Sequence, residues 1–137
     1  METGPVRAAI GAVIGVVVAG IVVGITETIG HALFPPPPGI DVSNPADLER
    51  LWDVVQPEAK AMVALAWFLG PLAGACTAIA IGRRVTSAWI VGAILAAMAL
   101  WTSQLFPHPA WMVVAAVVLP LLAVLAAKRL MAGRLAA

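Results

Sequence analysis

At 137 residues the chain is long enough for one domain, but 62% of it is hydrophobic and only 11% is charged, against roughly 25% charge in a soluble domain. A water-soluble fold of this composition would expose large apolar patches, and a formal net charge of +1 from scattered arginines excludes the basic stripe that nucleic-acid binding needs. A single cysteine, Cys76, excludes an internal disulfide and any cysteine-rich metal site.

The expected fold class is therefore all-α, an integral membrane four-helix bundle in which residues 1–137 form one transmembrane domain. The first apolar run, residues 8–33, follows Arg7 and is too long for a signal-peptide core, with no small-residue cleavage site behind it. It is read as the first span. Gly11, Gly15, Gly20 and Gly24 line it and are expected to let another helix approach closely.

The loop 34–58 opens with four prolines, Pro35 to Pro38, then Gly39, a stiff segment that leaves the first helix sharply. Asn44-Pro45 reads as a helix N-cap with proline at the first helical position, and Asp47 suits the positive end of the helix dipole. Leu48, Leu51, Trp52 and Val55 then recur at i, i+3, i+4 and i+7. A short amphipathic helix is expected, lying in the outer interface or over the bundle.

Residues 59–81, 87–105 and 111–127 form the remaining spans, each near the ~20 residues that cross a bilayer. Ala66, Gly70, Gly74, Ala78 and Gly82 recur every fourth residue of the second span, so Gly70 and Gly74 are expected at a close helix contact. Pro71 and Pro120 fall inside the second and fourth spans, where each removes a backbone hydrogen bond. Cys76 lies among small residues with no neighbouring base and is read as packing.

Orientation follows from the basic residues. Arg7, Arg83, Arg84, Lys128, Arg129 and Arg134 fall on one side of four spans, and only Arg50 and Lys60 on the other. Both termini are thus expected in the cytoplasm of a cell with the protein in its inner membrane, with the first loop and the Pro107-His108-Pro109 turn outside.

Glu27 is the one acidic residue inside an expected span. A carboxylate in hydrocarbon is costly unless it is paired, protonated or near water, so it asks for a function or a buried hydrogen bond, and both readings stand. His31 follows at i+4 on the same face, and Thr26 and Thr28 flank the pair. At about 1.5 Å per residue Glu27 sits about 28 Å along the first span, and Gln104 about 25 Å along the third, with His108 just beyond. If those spans are neighbours, Glu27, His31, Gln104 and His108 form a polar site at the outer mouth. Glu27, His31 and His108 would then offer zinc or another transition metal a carboxylate and two imidazoles, although no compact ligand motif is present. Trp52, Trp89 and Trp111 are read as membrane anchors, while Trp67 and Trp101, which lie deeper, either pack in the core or wall a pocket beside the polar site.

The runs Glu27-Thr28-Ile29-Gly30-His31, Pro35 to Asp41, and Ala66-Trp67-Phe68-Leu69-Gly70 with Gly74 resemble a group of small bacterial four-span membrane proteins without an assigned activity. The resemblance covers the first two spans and their loop. It implies the same topology, joins the Glu-x-x-Gly-His segment and the proline turn as one outward-facing unit, and implies no substrate.

Three functions compete on these residues. The leading expectation is a binding or accessory subunit that associates with lipids and with itself or a larger membrane complex. A proton relay through Glu27 and His31, or a metal-dependent enzyme acting on a lipid-like substrate, are the alternatives.

Overall fold

The computed structural model describes residues 3–136. Among them are α1 (Thr3–Leu33), α2 (Pro45–Val54), α3 (Pro57–Gly82), α4 (Val85–Leu105), α5 (Ala110–Leu130) and α6 (Ala132–Ala136), with no strand. Four helices, α1, α3, α4 and α5, are long and apolar enough to cross a membrane. They are longer than the hydropathy pattern suggests. Pro5 and Pro57 sit in first turns, where a missing N–H costs nothing, so α1 and α3 start earlier than expected. α5 runs on through Lys128 and Arg129, whose charges suit the negative end of the helix dipole. Helix α6 was not expected: it packs Leu135 against the bundle end.

The four long helices form a bundle in which α3 and α4 each touch the other three, while α1 and α5 stand on opposite sides. The α1–α3 contact is the most extensive, and glycine makes it so. A Cβ on Gly11 would lie 2.8 Å from the Ala78 carbonyl, and one on Gly15 would lie 2.6 Å from that of Gly74. Gly70 meets the Ala19 carbonyl at 2.9 Å from where its Cβ would be, and Gly74 meets Ala19 itself. Gly20 and Gly24 do not belong to this face: nothing lies within 4 Å of either. The five-residue step from Gly15 to Gly20 turns the helix by about 140°, and the fully buried Ala19 takes the contact position instead.

Small side chains fill the interior in three layers. Ile79, Ala75, Ala88, Val124 and Ala127 lie at one end, Ala19, Ala78, Val91 and Leu95 in the middle, and Trp67, Ala99, Met112 and Ala116 at the other. Pro71 and Pro120 are fully buried within α3 and α5. Cys76 packs on the first layer.

Six of the eight lysines and arginines lie at the end formed by the α3–α4 turn. The Arg7 Nε–H donates to the Ile81 carbonyl at 2.6 Å, capping α3, and the Arg84 guanidinium reaches Gly4. Arg83 closes α3 in the left-handed conformation (φ 52°), its N–H donating to the Ile79 carbonyl. The opposite end carries α2. There the Asn44 side chain accepts from the Ala46 N–H at 3.1 Å, and Asp41 ties the preceding turn by accepting from the Ser43 N–H and hydroxyl. The two hydrogen bonds from Ser43 hold the Asp41 carboxyl below its ordinary pKa. The backbone of α2 stands off from the bundle, so α2 docks through its side chains.

Candidate functional site

Glu27 and His31 occupy successive turns of α1 near the α2 end. Their flanking hydroxyls are spent locally: Thr26 donates to the Val22 carbonyl at 2.8 Å and Thr28 to the Gly24 carbonyl at 2.7 Å. Hence neither threonine supports the carboxylate. Among the described residues Glu27 and His31 make no side-chain hydrogen bond, so the expected polar partner from the third or fourth span is not in place.

His108 arrives from the turn between α4 and α5. Its Nδ1 sits 2.5 Å from the Phe106 carbonyl, and since a carbonyl can only accept, Nδ1 carries a proton and donates it. The imidazole lies against two indoles, with its centroid 4.5 Å from that of Trp52 and 5.8 Å from that of Trp67. Burial pushes the His108 pKa below its ordinary value, against the upward pull of the Phe106 hydrogen bond.

These groups border one cavity. Its volume is about 410 Å³, and Glu27, His31, His108, Trp52 and Trp67 all line it, with Val23, Leu95 and Met98 among its apolar walls. Its lining comes from α1 and α4, from Val63 and Trp67 of α3, and from Leu51 and Trp52 of α2. A smaller cavity of about 90 Å³ lies beside it under the proline loop, sharing Glu27, His31, Leu51 and Trp52. Gly20 of α1 borders the larger cavity and meets nothing within 4 Å at its Cβ position, whereas Gly15, on the packed face, would place a Cβ 2.9 Å from Val91 of α4.

Three sequence expectations need correction. Gln104 is exposed and does not border the cavity: Ser103, its neighbour, is the buried residue and donates to the Ala99 carbonyl, so Gln104 is turned about 100° from the bundle interior. Trp101 is 69% exposed and lines a shallow groove on the outside of α4 with Ile94 and Met98. Finally, Glu27, His31 and His108 share a cavity without converging: no group of three or more His, Cys, Asp or Glu side chains among the described residues is close enough to hold a metal ion.

The sequence reading also missed Trp52 as a site residue. It placed Leu51 and Trp52 on one face of an amphipathic helix, which was the available signal, but nothing local told what that face would cover. The indole Nε1 of Trp52 is buried without an acceptor.

The cavity thus offers one carboxylate, from Glu27, and two imidazoles, from His31 and His108. Comparison with models of known families, with curated proteins and with solved structures finds no match to this chain.

Proposed function

We propose that the protein is a multi-pass protein of the bacterial inner membrane that binds an amphiphilic ligand at a site facing out of the cell, as a small binding or accessory subunit. One observation carries this reading: a cavity of about 410 Å³ with mostly apolar walls, polar at Glu27, His31 and His108. That volume falls in the ~300–1,000 Å³ range of small-molecule sites, which are largely apolar with a few placed polar groups. The orientation is supported by the six basic residues at the opposite end, since positively charged flanks stay in the cytoplasm. The proton-relay alternative is less favoured, because none of the four long helices carries a second Asp, Glu, Lys, Arg or His in its middle turns.

Native mass spectrometry of protein extracted in a mild uncharged detergent tests the binding role. The wild type is expected to carry one amphiphile per chain, and Glu27→Leu to lose it while keeping its helical circular dichroism. Equal occupancy in both would sink the assignment of the site. Cysteine labelling tests the orientation separately: a cysteine at Ser43 should react with an impermeant reagent from outside, and one at Arg83 should not.

A further inference from the structure

We propose that the ligand is an amphiphile with a net positive ammonium headgroup, held between the Glu27 carboxylate and the aromatic rings of Trp52, Trp67 and His108, with its tail in the gap between α1 and α4. This rests on the binding role above and goes on to name the class of ligand.

Among the described residues Glu27 is the only Asp, Glu, Lys or Arg lining the large cavity; His31 lies close enough to interact with it electrostatically, but no side chain donates a hydrogen bond to it. A carboxylate at a helix end that reaches into hydrocarbon is costly without a counterion, and a cationic ligand supplies one. An anionic head would meet repulsion there. An uncharged head would leave the carboxylate as it was.

The walls then favour a soft organic cation over a hydrated metal ion. Trp52 and Trp67 flank His108, and all three line the same space as Glu27. An ammonium within about 6 Å of an indole face gains roughly two- to thirtyfold in affinity. The metal alternative fails on geometry, since no three ligating side chains come together.

The gap supplies the tail site. Gly20 and Val23 of α1 and Leu95 and Met98 of α4 line this part of the cavity. Gly20 leaves open space at its Cβ position, and Met98 is 56% exposed on the bundle surface. The cavity therefore opens sideways, where a bilayer would lie, and an alkyl chain can reach it without crossing water.

Depth separates this ligand from an ordinary zwitterionic phospholipid. Along α1, Glu27 lies one turn further inside than His31. A phospholipid anchored by its tail carries the ammonium outermost and the phosphate beneath it, which would set phosphate against Glu27. A cation joined directly to its chain has no such conflict.

The test is isothermal titration calorimetry of the full-length protein in an uncharged maltoside detergent. Four probes are compared: octyltrimethylammonium, its isostere with carbon in place of the quaternary nitrogen, octanesulfonate, and lysophosphatidylethanolamine. The ammonium probe is expected to bind at least tenfold more tightly than the other three, and Glu27→Gln to bring it within threefold of the carbon isostere. Should Glu27→Gln fail to fold, the four probes on the wild type decide alone. Equal binding of ammonium and isostere would overturn the headgroup class while leaving an amphiphile site. Tighter sulfonate, or equal lysophosphatidylethanolamine, would overturn it in favour of an anionic or zwitterionic ligand. Failure of all four would overturn the binding role as well.

Discussion

Replacing Gly74 with alanine measures how far the α1–α3 contact depends on a missing side chain. The added Cβ would lie 2.8 Å from that of Ala19 and 3.0 Å from Val91 Cγ1, and closest of all to the Gly15 carbonyl oxygen. The first distance is about 0.6 Å inside the 3.4 Å at which ordinary contact begins. Backbone and an alanine methyl cannot rotate away, so α1 must shift. Overpacking of this kind costs about 1–3 kcal/mol, while alanine for glycine in a helix returns up to about 1 kcal/mol. With neighbours from two helices the cost should prevail, leaving Gly74→Ala about 1–2 kcal/mol less stable. Gly24→Ala is the matched control: nothing lies within 4 Å of it, so only the propensity gain of up to about 1 kcal/mol remains. Unfolding of both variants in mixed detergent micelles, followed by circular dichroism, should therefore separate them by about 2 kcal/mol. If the two variants unfold together, the glycine face is not a close contact and the packing argument fails.

Trp52→Phe keeps a ring against His108 and removes the buried indole N–H that has no acceptor. It should be neutral or stabilising, since an unmade buried hydrogen bond costs about 1–3 kcal/mol, whereas Trp52→Ala should loosen α2 and speed amide exchange there. A Phe variant as damaging as Ala would mean that the N–H finds a partner. Because burial lowers the His108 pKa, the unfolded chain binds more protons than the folded one between that lowered value and about 6.5. Stability is therefore expected to fall as the pH drops through this window and to be flat above it, and melting at pH 7.5 and 5.5 should show a slope that His108→Gln reduces. An identical slope in the variant would assign it to other groups. Asn44→Ala removes the cap of α2 and should cost about 1 kcal/mol locally, raising amide exchange at Ala46 to Leu48. Global melting should hardly move, because the α2 backbone stands off from the bundle; a large drop would show that α2 is integral to the core.

What the sequence determined by itself is what depends on short-range pattern. Composition required an apolar surroundings-facing surface, run length gave four helices, and Asn44-Pro45 with the Leu48, Leu51, Trp52, Val55 spacing gave α2 and its apolar face, because each of these is a property of neighbouring residues. Gly70 and Gly74 were legible for the same reason: a four-residue repeat keeps one helix face. Gly20 and Gly24 were misread because a single five-residue step turns them off that face. The site needed more. That Glu27, His31 and His108 border one cavity while Gln104 and Trp101 lie outside it was decided by how the helices pack against one another. Depth along a helix can be counted from the sequence. The direction in which a side chain points, and the distance to the next helix, depend on packing between segments far apart in the chain, and only the tertiary structure fixes those.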